Sequence, residues 1–305
     1  MAELLALLDF GSNAARFLLA SVTPGRGFRV LQEDRVQTRL AAGQGRRLPE
    51  RSVRATIEAT RRFLRRADTG RPIHVVAVAT GAVRDADNAQ RLERGIRDVA
   101  GVDIEVLDWK EEAALGAEAA MASLPVRDAL VVDLGGASIQ ATRVHHGAVT
   151  PLASAPLGAV RASRFLRHDP PASRELRTLR RRVGEALGAT TWDLARHTSL
   201  IALGGTARAL GRIHLRARGL SRGVNGLRLD RDVVTALCTH LQDLPLRRRR
   251  RLPGLRRDRA DIIVAGAVVL DELLSLSGLP ALTVCERGVR HGLLLRETFG
   301  TDRGA

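Results

Sequence analysis

The sequence contains no tyrosine, and aromatic residues make up only 3% of its 305 positions. A chain this poor in rings has no stacking platform for unpaired bases, which weakens any reading as a single-stranded nucleic-acid binder. Cysteine is almost as scarce. Cys238 and Cys285 stand alone, with neither metal-type nor CxxC spacing. Two thiols without an export signal fit a reducing compartment. The opening MAELLALLDF carries Glu3 and Asp9 but no basic segment ahead of its apolar residues, so it does not read as a signal peptide. Long apolar runs are also missing. The longest, IIVAGAVVLDELLSL at 262–276, is broken by Asp271 and Glu272 and falls short of the ~20 residues a membrane span needs. The expectation is a soluble cytoplasmic protein with no membrane partner. Lysine is nearly absent too, with Lys110 alone among 49 basic residues.

Arginine and aliphatic residues fill these gaps. Hydrophobic residues make up 45% of the chain, enough for cores built from Leu, Val, Ala and Ile. The length suggests two domains. The formal net charge of +16 attracts polyanions such as nucleic acid, polyphosphate or highly phosphorylated nucleotides. Equally, it fits an arginine-rich, well-solvated surface with no site at all. The run LRRRRRLPGLRRDRAD at 246–261 is the densest charge block and carries the same two readings.

Strand and helix signals alternate. Residues 5–20 read as two strands joined by the turn DFGSN, HVVAVAT at 74–80 as a strand, and DIEVLDW at 103–109 as another. RSVRATIEATRRFLRRA spaces Val53, Ile57 and Phe63 for an amphipathic helix, and helices are expected over 88–101 and 110–123. The second half restarts with ALVVDLGGASIQATRVHHGAVT: strand, glycine turn, strand, further turn. Helices follow near 158–167, 173–187 and 230–242, with a long apolar one over 258–276. SLIALGGTARALGRI reads as strand, Gly-Gly turn and helix. ALTVCE is a last strand and RGVRHGLLLRETF a last helix. The alternation predicts an α/β protein. Its domains are expected at 1–123 and 124–305, with the helix at 287–299 packing back on the first.

Three glycine turns carry the chemistry. LLDFGSNAAR at 7–16 and VVDLGGASIQ at 131–140 share one design of apolar strand, aspartate, glycine and small hydroxyl residue. Successive amides in such turns form a concavity for phosphate oxygens. This makes Gly11, Ser12, Asn13, Gly135, Gly136 and Ser138 candidate phosphate ligands. The third turn, LGGTARAL, adds Gly204, Gly205 and Thr206 at a helix start, where anions also bind. Asp9 and Asp133 cannot bind phosphate directly, but they can hold Mg²⁺, or Mn²⁺ in its place, beside it.

The order of these turns resembles the acetate kinase, sugar kinase, Hsp70 and actin superfamily. That resemblance implies two ribonuclease H-like (actin-like ATPase) domains flanking a phosphate-binding cleft. Further motifs narrow it. DFGSNAARFLLA, VATGAVRDADNA, IEVLDWKEEAAL, VVDLGGASIQ, PLGAVR, LGGTARAL, LPGLRRDRADIIVAGAVVL and ERGVRHGLLL together resemble, in order, the exopolyphosphatase and guanosine pentaphosphate phosphatase (Ppx/GppA) family. The resemblance spans nearly the whole chain, without the helical C-terminal extension of longer members. It implies a Mg²⁺-dependent phosphohydrolase that releases terminal phosphate from polyphosphate, or converts pppGpp to ppGpp. Glu112 aligns with the catalytic base and Arg84 with an arginine that grips phosphate.

Three departures stand out. The family's second loop usually reads Asp-x-Gly-Gly-Gly-Ser-x-Glu, and here Ala137 and Gln140 replace the third glycine and the glutamate. Asp108-Trp109 replaces Ser-Gly before the catalytic helix, where the tryptophan would enlarge the wall near Glu112. A slowed but competent enzyme is expected, with the high positive charge favouring a long polyanion over a nucleotide. The alternatives are a catalytically weakened binder or sensor of polyphosphate or guanosine tetra- and pentaphosphate, and a kinase of the same superfamily. No specific nucleic-acid partner is expected, and a homodimer is left open.

Overall fold

The computed structural model describes residues 2–43, 45–67, 70–188 and 199–300. In chain order its elements are β1 (Glu3–Phe10), β2 (Ala14–Thr23), β3 (Gly27–Gln37), α1 (Glu50–Ala67), β4 (Ile73–Ala79), α2 (Gly81–Arg84), α3 (Gln90–Ala100), β5 (Ile104–Val106) and α4 (Trp109–Met121). They continue with β6 (Asp128–Leu134), β7 (Ile139–His145), β8 (Ala148–Ala155), α5 (Ala159–Ala162), α6 (Ser173–Leu187), β9 (Leu200–Leu203) and α7 (Gly204–Ala217). The last are β10 (Leu227–Asp230), α8 (Arg231–Asp243), α9 (Leu246–Arg249), α10 (Ile263–Ser277), β11 (Ala281–Val284) and α11 (Val289–Phe299). The chain divides into two compact units, Met1–Leu115 with Val289–Ala305, and Gly116–Gly288. Among the described residues, no helix is long and apolar enough to cross a membrane.

The first unit holds a five-stranded sheet in the order β3-β2-β1-β4-β5. β1 pairs antiparallel with β2 and parallel with β4. Leu4 to Phe10 are all buried, as expected of a central strand covered on both faces. On one face, Phe63 of α1 stacks on Phe17 of β2 with ring centroids 5.5 Å apart. α11 closes a second core, where Leu293 and Leu294 join Leu5, Leu7, Leu18 and Leu115. Its Gly292 lies against α4 so closely that a Cβ there would stand 2.2 Å from the Leu115 carbonyl oxygen.

The second unit holds a six-stranded sheet in the order β10-β11-β9-β6-β7-β8. Setting β10 aside, the order β8-β7-β6-β9-β11 repeats the first sheet, and the pairing senses repeat as well. The α10 helix is buried on nearly every side. Its one deeply buried acid, Asp271, accepts bonds from Arg180 of α6 at 2.6 Å and Thr235 of α8 at 2.6 Å.

Several elements differ from the sequence expectation. β3, β8 and β10 carry exposed or half-buried residues through much of their length, so their apolar alternation is weak. α10 begins at Ile263, because residues 257–259 form a short 3₁₀ turn ahead of it. Gly204 and Gly205 are the first turn of α7 rather than a free turn. The strand expected over 103–109 stops at Val106, because Asp108 caps α4. Its carboxylate accepts the Lys110 and Glu111 amides at 2.6 and 2.9 Å, while the Asp108 amide donates to Glu111 at 2.9 Å. This reciprocal capping gives Asp108 a structural reason to stand before the helix.

Candidate active site

In each unit the candidate residues gather at the carboxyl ends of parallel strands, the edge where open α/β sheets bind ligands. In the first unit, β1 ends on Asp9 and Phe10. The turn beyond is closed by the Gly11 amide donating to the Ala14 carbonyl at 3.2 Å. The carbonyls of Ser12 and Asn13 accept the amides of Ala41 and Arg39 at 2.9 and 3.2 Å, which fixes the turn from the chain after β3. A side chain at Gly11 would be tightly placed. A Cβ would lie 3.3 Å from Arg16 Nη1, the atom that crosses the turn to bond Asp9 Oδ2 at 2.8 Å. Arg290, from α11, brings its Nε to 4.0 Å from the same oxygen. Burial and the neighbouring Arg16 charge push the Arg290 pKa below its usual value.

Asn13 is the most telling residue of this turn. It is 5% exposed, yet neither its amide nitrogen nor its amide oxygen has a hydrogen-bond partner. A buried, unpaired polar group costs about 1–3 kcal/mol. Such a cost persists where the group serves a ligand. Replacing Asn13→Leu should therefore raise the melting temperature or leave it unchanged, while KM for the phosphate substrate rises about tenfold, equivalent to ~1.4 kcal/mol. A clear loss of stability with an unchanged KM would show that the amide is structural.

Glu112 sits in the first turn of α4 and is 9% exposed. Arg84 reaches it from α2, the short helix that follows β4, with Nη1 3.0 Å from Glu112 Oε2. The same nitrogen donates to the Leu107 carbonyl at 2.9 Å, so the guanidinium is anchored at two points. A carboxylate held this way keeps a fixed orientation. Trp109, one turn-position earlier, is half-buried and carries Lys110 Nζ at 5.9 Å from its ring.

In the second unit, the β6–β7 turn is closed by the Gly135 amide donating to the Ser138 carbonyl at 3.0 Å. The PLGAVR segment packs directly onto it. The amides of Gly158, Ala159 and Val160 donate to the carbonyls of Ala137, Gly135 and Gly136 at 3.0, 2.9 and 2.9 Å. A Cβ at Gly158 would stand 2.4 Å from the Gly136 carbonyl carbon, so only glycine permits this contact. Ala137 is not among the residues with positive φ, which is why alanine is accommodated in place of glycine.

The second and third glycine turns meet in this unit. Gly204 has φ +93°, and a Cβ there would stand 2.3 Å from the Leu134 carbonyl oxygen and 3.0 Å from Asp133 Oδ1. Gly116 lies on the other side, its Cβ position 3.8 Å from Asp133 Oδ2. Two glycines thus keep side chains out of the space beside this carboxylate. Thr206, 1% exposed, packs against Gly266 of α10. Gln140 is the direct cross-strand partner of Asp133 and is buried.

Four arginines with roles at these edges were not singled out by sequence reasoning: Arg16, Arg290, Arg208 and Arg259. Arg259 lies on the first turn of α7, where a Cβ on Gly205 would come within 1.8 Å of its Nη2. Arg208 donates to the Gly204 carbonyl at 3.2 Å and to the Glu286 carbonyl at 2.9 Å. The Asp133 carboxylate also stands at this helix start, its Oδ1 3.0 Å from the Gly204 Cβ position. One arginine among so many carries no sequence signal. The usable clue was the placement of Arg259 within RDRAD and Arg290 within ERGVRHG, two motifs of the resemblance.

The residues fit a hard cation. Mg²⁺ usually takes one or two carboxylates and completes its shell with waters and phosphate oxygens. Asp133, flanked by glycines, offers that kind of donor. In the other unit, Asp9 has its Oδ2 engaged by Arg16.

Comparison with known proteins bears on the whole chain. The family model described as the Ppx/GppA phosphatase family matches residues 18–299. Exopolyphosphatase 2 of Mycobacterium tuberculosis is 31% identical over 312 aligned residues, covering 95% of this chain and 97% of that protein. An uncharacterized protein of Streptomyces coelicolor, SCO0757, is 29% identical over 95% of this chain and 89% of its own length. Among solved structures, an exopolyphosphatase from Cytophaga hutchinsonii superposes with a TM-score of 0.89 at 23% identity, over 99% of this chain and 100% of that one. A Ppx/GppA enzyme of Aquifex aeolicus superposes with a TM-score of 0.78 at 26% identity, over 97% and 99%. The two-sheet α/β architecture described above is the one these structures share.

Proposed function

Because the chain belongs to the Ppx/GppA phosphatase family, we propose that it hydrolyses the terminal phosphoanhydride bond of inorganic polyphosphate, with Glu112 as general base. The observation that carries this reading is the Arg84–Glu112 pair, a nearly buried carboxylate oriented by a guanidinium at the ligand-binding edge of the sheet. A phosphoryl group is transferred mainly by positioning and electrostatics, so the protein needs little else. Glu112 accepts a proton from water as the water oxygen bonds to the terminal phosphorus. The bridging P–O bond breaks, and the shortened chain departs with that oxygen. Arg84 holds phosphoryl oxygens through its remaining N–H groups. In the first unit the Gly11–Asn13 amides offer donors to phosphate oxygens, and in the second unit the Gly135–Ser138 turn and the start of α7 offer the same kind of donor. Asp133 in the second unit, or Asp9 in the first, would hold Mg²⁺, which when bound neutralises phosphate charge. The net charge of +16 favours a long polyanion over pppGpp. The relative named exopolyphosphatase 2 supports the same ranking.

The test is free-phosphate release from long-chain polyphosphate and from pppGpp, each with Mg²⁺, at low and high salt. Polyphosphate should be preferred, with a preference that narrows as salt screens the longer chain. Release from pppGpp alone would overturn the ranking and keep the chemistry.

Gln140 supports a second reading, a weakened enzyme that binds phosphate chains better than it cleaves them. Directly opposed residues on antiparallel strands have Cβ atoms about 4.5–5.5 Å apart. A glutamate at 140 would therefore stand beside Asp133 as a second carboxylate. Gln140→Glu should raise phosphate release several-fold at limiting Mg²⁺ and little at saturation. It should also lower the melting temperature in metal-free buffer, because two like charges then share one site. A rate that stays flat or falls would show that position 140 does not limit activity.

A further inference from the structure

We propose that Asp128, His145 and His146 form a binding site for one divalent transition-metal ion, of the kind typified by zinc, at the opposite end of β6 from Asp133. The three residues each offer a ligand atom, and these atoms all lie within 4.8 Å of one another, the only such group of three among the described residues. Asp128 and His145 are direct partners across the β6–β7 pair, and His145 Nδ1 lies 2.7 Å from Asp128 Oδ1. His146 is brought in by the turn. It and Gly147 form the two-residue loop to β8, with φ of +47° and +83°. Positive φ at both positions is the turn geometry that matches strand twist. It turns the chain so that the His146 amide lies 3.4 Å from Asp128 Oδ1, and the two imidazole rings stand 4.2 Å apart at 59°.

The chemistry selects the ion. Two imidazoles and one carboxylate are the donor set of zinc, nickel, copper and non-haem iron rather than of Mg²⁺ or Ca²⁺, which prefer oxygen alone. Arg127 and Arg143 are exposed nearby, and Arg143 lies two residues before His145 on the same face of β7. Their charge repels every divalent cation alike, so the selectivity rests on the imidazole nitrogens. With bonds of about 2.0–2.1 Å, tetrahedral ligand atoms stand about 3.3 Å apart. The Asp128–His145 pair, 2.7 Å apart, must therefore open by about 0.6 Å. The side chains of His145 and Asp128 are 65% and 42% exposed, which leaves them room to do so and leaves the remaining metal positions to water. Asp128 and Asp133 are five residue steps apart along the strand, roughly 17 Å. The site is therefore separate from the phosphate-binding turns, and a metal there would clip β6, β7 and the β7–β8 turn together.

The test uses the full chain, stripped by a chelator and titrated with zinc chloride by calorimetry, with melting temperature followed in parallel. With millimolar Mg²⁺ present throughout to occupy the carboxylates at the phosphate-binding turns, wild type should bind one equivalent of zinc with an accompanying rise in melting temperature. His145→Gln and His146→Asn should each weaken binding by about tenfold or more. Asparagine is chosen because it tolerates positive φ. His168→Gln, which removes a separate exposed histidine paired with Glu175, should leave zinc binding unchanged. Zinc binding equal to wild type in both the His145 and His146 variants, or none by wild type at about 100 µM, overturns the proposal.

Discussion

Glu112→Gln should lower phosphate release by about 10²–10⁴-fold while leaving the melting temperature within a degree or two of wild type. Glutamine matches glutamate in shape, and its amide oxygen still accepts the Arg84 bond, now 3.0 Å long. The α4 helix keeps its cap, which depends on Asp108 and Glu111 rather than on Glu112. Only the ability to take a proton from water is removed. Substrate affinity should hold or improve slightly, because a negative charge beside the phosphate has gone. The measurement is kcat and KM for polyphosphate in wild type and variant, with unfolding followed by circular dichroism. A loss confined to KM would make Glu112 a binding residue. An activity near that of wild type would remove it as the base and leave the proposed mechanism without one.

The second large effect concerns the turn that joins β9 to α7. Gly204→Ala should destabilise the Gly116–Gly288 unit by about 3 kcal/mol or more, and abolish phosphate release under conditions where the variant is still folded. Two penalties coincide. The residue has φ +93°, where an L side chain is strained, and the new methyl would stand 2.3 Å from the Leu134 carbonyl oxygen. That oxygen belongs to backbone of the central strand β6, so it cannot swing aside as a flexible side chain could. Relief requires α7 to move away from β6. Such a movement also changes the spacing between α7 and Asp133, whose Oδ1 stands 3.0 Å from the same methyl position. Gly278, which has φ +67° with nothing within 4 Å of its Cβ position, is the control. Gly278→Ala should show strain alone, about 1–2 kcal/mol, with activity retained. If both variants lose the same stability, the close approach at Gly204 contributes nothing, and the turn is less tightly packed than described.

Much of this architecture is written locally. The strands β1, β2, β4, β6, β7 and β9 follow from short apolar or alternating stretches ended by turn residues, and the helix at Ser173–Leu187 from the spacing of Leu179, Val183 and Leu187 on one buried face. The repeated Asp-x-Gly design was legible for the same reason, since a strand, its aspartate and its tight turn are contiguous. The capping of α4 by Asp108 was equally local, in the spacing Asp108-Trp-Lys-Glu111, but the apolar look of DIEVLDW masked it. β3, β8 and β10 were hidden because their residues face solvent or partners that the sequence does not place beside them.

What the amino-acid order determined alone is therefore the set of turns, the helices with clear periodicity and the family resemblance those motifs carry together. Tertiary structure decided which charges meet. Arg84 and Glu112 are 28 residues apart, and they touch because β4 and β5 run parallel and end at one edge of the sheet. Arg290 approaches Asp9 across nearly the whole length of the chain because α11 packs into the core of the first unit. Arg259 reaches Gly205 because the turn before α10 lies over the start of α7. Asn13 is buried without a partner because the chain after β3 closes over its turn. Asp128, His145 and His146 converge because strand register sets Asp128 opposite His145 and a primed turn folds His146 back. Pairings of this kind depend on strand order and register, long-range properties that no window of sequence contains.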